Sequence, residues 1–195
     1  MCACIVDGVK VRVLFFRPSY GGSGDYPAVA DYNGDGIDDV ATYRPSTGEW
    51  FVGGIPGVVY VSVTNGIPAP GDFDGDGIAE FAVYHPSTRT WYIPGRPSFE
   101  FGGSSDLPAV ADYNGDGIDE VATYRPSTGE WFIGGIGTPF TFGGTNGRPA
   151  PADYDGDGKD DFAVYLPSIQ QWLIAPYSVS VPRSASSIEP CEASS

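Results

Sequence analysis

One nonapeptide constrains this chain more than any other feature: Asp31-Tyr32-Asn33-Gly34-Asp35-Gly36-Ile37-Asp38-Asp39. It returns as Asp72-Phe73-Asp74-Gly75-Asp76-Gly77-Ile78-Ala79-Glu80, as Asp112-Tyr113-Asn114-Gly115-Asp116-Gly117-Ile118-Asp119-Glu120 and as Asp153-Tyr154-Asp155-Gly156-Asp157-Gly158-Lys159-Asp160-Asp161. The leading aspartates stand 41, 40 and 41 residues apart, so the chain must build one unit four times. Asp or Asn occupies positions 1, 3 and 5, an acid occupies position 9, and glycine occupies position 6. Such oxygens suit a hard cation, which binds oxygen at roughly 2.3–2.6 Å, and the glycine permits the reversal between them. One Asp/Asn/Gly-rich turn is ordinary hairpin chemistry. Four in register concentrate carboxylates, and two of these ~4 Å apart repel by about 4 kcal/mol at an effective dielectric near ~20. A counter-ion is therefore expected, and each loop is read as a calcium site. The side-chain ligands are Asp31, Asn33, Asp35 and Asp39; Asp72, Asp74, Asp76 and Glu80; Asp112, Asn114, Asp116 and Glu120; Asp153, Asp155, Asp157 and Asp161. These loops are not EF-hands. Position 12, the place of that motif's bidentate Glu, holds Thr42, Val83, Thr123 and Val164, and the β-branched and aromatic residues around it lead into a strand.

Composition agrees with an all-β chain. Its 195 residues include 28 Gly and 18 Pro, aromatic residues make up 14%, and no long run of helix formers interrupts them. The formal charge of −15 is concentrated in the loops, and the eight positive charges of four Ca²⁺ would reduce it to −7, an ordinary solubilising value. Ten basic residues with no basic run argue against nucleic-acid binding. No stretch approaches the ~18–20 apolar residues of a membrane-spanning helix. Loops without the position-12 Glu are expected to be weak, near the ~10⁻⁴–10⁻³ M of extracellular modules. The expected location is therefore extracellular or at the cell surface. The first residues, Met1 to Asp7, lack the basic and apolar regions of a secretory signal. A removed signal, a piece of a longer protein and another export route all stay open.

Between the loops the pattern reads as a meander of hairpins. In the first repeat the expected strands are 28–30, 40–43, 49–52 and 58–63, with a Pro45-Ser46-Thr47-Gly48 turn in the middle. The repeats run over about 25–65, 66–105, 106–146 and 147–181, after an N-terminal segment 1–12 that carries Cys2 and Cys4. Val13 to Ser19 resembles the strand after a loop, so a partial N-terminal blade is expected there. Residues 182–195 are expected to form a flexible tail, preceded by a last strand at 177–181. A finer period of 81 residues relates repeat one to three and two to four, as if a two-repeat block had been duplicated.

A period near 40 with four strands per unit is the pattern of a β-propeller blade. With the Asp-rich loop between the first two strands, and with Arg44-Pro45-Ser46-Thr47-Gly48-Glu49-Trp50 after it, the chain resembles the FG-GAP/VCBS calcium-binding repeat family over residues 13–181. That family includes the integrin alpha-subunit propellers, several lectins and many bacterial surface proteins. The resemblance implies that the carbonyls of Ile37, Ile78, Ile118 and Lys159 join the ligand sets. It also implies a non-enzymatic module for extracellular recognition or adhesion, with a glycan or protein as ligand. The alternative is a structural subunit whose incomplete blades pair between chains into a homo-oligomer. The family usually has seven blades, whereas here there are four and fragments. These can close alone, with another chain or within a larger propeller.

The once-per-repeat Trp50, Trp91, Trp131 and Trp172 are read first as packing between blades and second as sugar-stacking platforms. Arg44 and Arg125 are read as solvated hairpin residues, or as contacts to a carboxylate or sugar hydroxyl. His85 is the single histidine, no nucleophile motif accompanies it, and no catalytic residue is assigned. Three cysteines lie outside the repeats. The expectation is either a Cys191 disulfide to Cys2 or Cys4, leaving an odd cysteine for a second chain, or three free thiols.

Overall fold

The turn tetrapeptides and the two-residue periodicity become an all-β structure. The computed structural model describes residues 2–6, 9–13 and 21–175, apart from 56, 58 and 62. Among the described residues there is no helix, and four consecutive antiparallel sheets follow the four repeats. Ahead of them β1 (Cys2–Val6) pairs with β2 (Val9–Val13) as a separate hairpin. The first sheet holds β3 (Tyr26–Pro27), β4 (Ala41–Arg44), β5 (Glu49–Val52) and β6 (Val59–Tyr60). The second holds β7 (Ile67–Pro68), β8 (Val83–His85), β9 (Thr90–Tyr92) and β10 (Phe99–Glu100). The third holds β11 (Leu107–Pro108), β12 (Ala122–Arg125), β13 (Glu130–Ile133) and β14 (Phe140–Thr141). The fourth holds β15 (Arg148–Pro149), β16 (Phe162–Leu166) and β17 (Gln171–Ala175). Each sheet pairs its strands in chain order.

The central hairpin is closed by a Pro-Ser-Thr turn in the first three sheets and by Pro167-Ser168-Ile169 in the fourth, with Arg44 opposite Glu49 and Arg125 opposite Glu130. Its last residue takes a left-handed conformation: φ is +75° at both Gly48 and Gly129, 58° at Arg89 and 56° at Gln170. A side chain added at Gly129 would stand 2.8 Å from the Gly144 carbonyl oxygen. Glycine is therefore required there by space as well as by backbone.

Alternation puts one aromatic set inside. Tyr43, Trp50, Tyr84, Trp91, Tyr124 and Trp131 are fully buried, with the Tyr and Trp of each hairpin about 5 Å apart. The leading strands adjoin in series, β3 beside β7, β7 beside β11 and β11 beside β15. Phe81 of the second repeat stacks on Tyr32 of the first at 4.7 Å, and Phe162 of the fourth stacks on Tyr113 of the third at 4.8 Å. The tryptophans are thus the hydrophobic cement between neighbouring sheets. Three are wholly inside, which removes them as sugar platforms, while Trp172 is exposed.

Several expectations need correction. The first strand of the first repeat, expected at 28–30, is instead Tyr26–Pro27, and the chain then peels away to reach the loop. Ala28 still donates its N–H to the Ala41 carbonyl at 2.9 Å, and Ala30 forms a single bridge to Asp39. The last strand, expected over 58–63, is confined to Val59–Tyr60 among the described residues. The hairpin β1–β2 was not foreseen in the N-terminal segment. The expected strand at 13–19 falls outside the described residues beyond Val13, as do the strand at 177–181, the tail at 182–195 and Cys191.

Candidate metal centre

Each Asp-rich loop connects the first and second strands of its sheet and is pinched at its neck. Position 0 bridges position 9: Ala30 to Asp39, Gly71 to Glu80, Ala111 to Glu120 and Ala152 to Asp161. The loop interior is organised by its own carboxylates. At position 1, one oxygen of Asp31, Asp72, Asp112 and Asp153 accepts the N–H of the position-4 glycine at 2.6–2.7 Å. The same oxygen accepts the position-5 N–H at 3.2–3.3 Å. The other oxygen accepts the N–H of the position-6 glycine at 2.7–3.0 Å. One side chain thus satisfies three backbone donors and holds the loop in its reversal.

The next shell repeats with the same fidelity. Position-5 carboxylates of Asp35, Asp76, Asp116 and Asp157 accept the N–H of Ile37, Ile78, Ile118 and Lys159 at 2.9–3.0 Å. Position-9 carboxylates of Asp39, Glu80, Glu120 and Asp161 accept the N–H of the position-2 aromatic at 2.8–3.2 Å. Three loops bring carboxylate oxygens within 4.8 Å of one another: Asp72, Asp74 and Glu80; Asp112, Asp116 and Glu120; Asp153, Asp155 and Asp161. In the first loop no such acidic triad forms, and Asn33 donates its amide N–H to Asp39 at 2.9 Å instead. Asn114 makes the same bond to Glu120.

Burial pushes the Glu80 and Glu120 carboxyls up, and the neighbouring loop aspartates add repulsion against the stabilising N–H of Phe73 or Tyr113. Asp119, at position 8, is pushed up to about 7, first by burial and then by the charges of Asp160, Asp112 and Asp72. Asp160 is raised by burial as well. These two and Asp38 line an acidic cavity of about 290 Å³ beside the leading strands.

Position 8 was the element that sequence reasoning missed. Asp119 accepts the N–H of Asp72 at 2.8 Å, and Asp160 accepts that of Asp112 at 2.9 Å, each reaching the preceding repeat. The available signal was position 8, acidic in three of the four repeats as Asp38, Asp119 and Asp160 and alanine only at Ala79, outside the expected ligand positions. The arginines were likewise incompletely read. Arg44 forks onto Asp25 with both contacts at 3.1 Å and also reaches Glu49. Arg125 forks onto the buried Asp106 at 2.8 and 3.1 Å and reaches Glu130. Both guanidinium groups are engaged by the chain's own carboxylates. His85 faces Ser87 and Thr88 of its own turn at 3.2 and 3.1 Å. Among the described residues no helix is long and apolar enough to cross a membrane.

Comparison of the chain with protein-family models, with curated proteins and with solved structures returns no match.

Proposed function

We propose that this chain is a non-enzymatic, calcium-binding β-propeller module for extracellular recognition or adhesion, with a glycan or protein as its ligand. The observation that carries the reading is the repeated convergence of carboxylate oxygens within 4.8 Å in loops two to four, with the carboxylate at position 1 already oriented by three N–H groups. Such a set is costly without a counter-ion, and it offers hard oxygen donors with no sulfur or imidazole among them. The side chains at positions 1, 3, 5 and 9 would hold the ion, joined by the position-7 carbonyls of Ile37, Ile78, Ile118 and Lys159. Bound calcium would neutralise the loops and brace the neck of each blade. The first and third loops would have to turn their Asn33 and Asn114 amides to present oxygen.

For a ligand, a concave face of about 430 Å³ lies between the first and second sheets, lined by Val61, Val63, Phe81, Ile93 and Arg96 among others. Mostly apolar walls with one cationic group suit the stacking and hydrogen bonding of a sugar or peptide. Isothermal calorimetry with Ca²⁺ tests the metal: about four sites of sub-millimolar to millimolar affinity are expected, and no binding heat would overturn it. A glycan array probed in calcium tests the ligand class.

A further inference from the structure

Three joints link the four repeats, and all are assembled from the same parts. At position 7, a side chain of the following repeat seats on the position-4 glycine of the one before. A Cβ built on Gly34, Gly75 or Gly115 would stand 3.0, 3.0 or 2.9 Å from Ile78, Ile118 or Lys159. At position 8, an N–H donates to the preceding position-1 carbonyl: Ala79 to Asp31 and Asp119 to Asp72 at 2.7 Å, Asp160 to Asp112 at 2.8 Å. At position 10, an apolar side chain packs on the preceding repeat's position-2 ring and tryptophan. Phe81 and Phe162 do so on Tyr32 and Tyr113, and Val121 packs against the cluster of Phe73 and Trp91.

Both halves of this joint stand open at the ends of the series. On the leading face of repeat one, Ile37 is 71% exposed, against 38% and 39% for Ile78 and Ile118, and Val40 is 61% exposed. On the trailing face of repeat four, nothing lies within 4 Å of a Cβ built on Gly156. Tyr154 is 47% and Trp172 53% exposed there, where the other three tryptophans are at 0%. Among the described residues the knob of repeat one and the hole and apolar cup of repeat four are therefore each left once without their counterpart.

We propose that the trailing face of repeat four receives the leading face of repeat one of a second copy of this chain, head to tail. Among the described residues the two faces of one chain do not meet, since each is open. The new joint would run from an even to an odd repeat, the kind already formed where Val121 meets Phe73 and Trp91. Val40 then takes the place of Val121, and Ile37 takes that of Ile118. Two positions differ: Tyr154 stands in place of Phe73, and Ala152 stands where Gly71 leaves room for Val110 and the Asp119 carboxylate, so Val29 must turn a methyl aside and Asp38 must shift with it. This joint uses backbone and apolar contacts and does not depend on the loops holding a metal; calcium binding is read separately by calorimetry.

Sedimentation velocity of the full chain over a wide concentration range tests it. The parent is expected to associate, and Val40→Arg or Trp172→Glu alone to lose that association while melting as the parent does. Tyr154→Lys provides a second trailing-face variant should Trp172→Glu fail to fold. An equal mixture of Val40→Arg and Trp172→Glu retains one intact face on each partner and should give a dimer and nothing larger. A parent that stays monomeric, including one closed on itself, overturns the proposal. Association that survives both substitutions, or a mixture that stays monomeric, does so as well.

Discussion

The position-1 aspartate does most to shape each loop, because one carboxylate accepts three N–H groups that no strand supplies. In Asp112→Ala the donors of Gly115, Asp116 and Gly117 lose their acceptor. Hydrogen bonds to a charged group are worth about 1.5–3 kcal/mol each at most, and solvent replaces part of that in an exposed loop. A loss of about 2–3 kcal/mol is expected in urea melts with chelator present, along with one fewer calcium site by calorimetry. Asp119 behaves oppositely. Its carboxyl is pushed up to about 7 from the usual 3.8, so between those values the folded chain holds a proton that the unfolded chain releases. Stability therefore falls as pH rises from about 4 to 7 and levels off above, the reverse of an ion-paired aspartate. In chelator, Asp119→Asn should flatten this slope and stabilise the fold at neutral pH. The gain should be on the order of 1–2 kcal/mol once screening at this partly exposed site is allowed for. The amide oxygen can still accept the Asp72 N–H. A thermal melt at pH 5 and at pH 7.5 reads both effects.

At the scale of the strand pair, the hairpin turns separate two roles of glycine. Gly129 needs a positive φ and also has the Gly144 carbonyl pressed against it. Gly129→Ala should cost about 1–3 kcal/mol. Arg89 occupies the equivalent place with φ 58° and an exposed ion pair to Glu100 at 2.8 Å, so Arg89→Ala should change stability by less than about 1 kcal/mol. A loss in Gly129→Ala no larger than that in Arg89→Ala, measured by chemical denaturation, would mean that neither the positive φ nor the close approach at Gly129 matters to stability. The alternation of repeats is physical at this scale too. Odd repeats pair Asp25 with Arg44 and Asp106 with Arg125. Even repeats place Gly66 and Gly147 where those aspartates stand. A Cβ at either glycine would lie 2.2 Å from Val83 or Val164.

At the scale of the molecule, the balance lies between stacked aromatic joints and a charge of −15. Each calcium site filled at a hundred times its dissociation constant would contribute about 2.7 kcal/mol, and four would contribute about 11. A whole domain is typically stable by ~5–15 kcal/mol. Adding EGTA should therefore lower the melting temperature sharply, and a melting temperature indifferent to EGTA would remove calcium from the account of stability.

What the sequence determined by itself was local. The loop residues, the hairpins after them and the all-β class follow from turn chemistry and alternation, which act over a few residues. The strand Glu49–Val52 could be read to the residue because the Pro-Ser-Thr-Gly turn and the Trp-Phe alternation both mark it. Contacts between distant residues were decided by the tertiary structure. Arg44 finds Asp25 nineteen positions away, and Asp119 reaches back to Asp72 across a repeat boundary, neither of which any short-range pattern encodes. The burial of Trp50, Trp91 and Trp131, and the exposure of Trp172, depend on whether a following repeat covers the ring. Four nearly identical sequence units thus acquire different surfaces, because only the fold distinguishes an inner repeat from an end one.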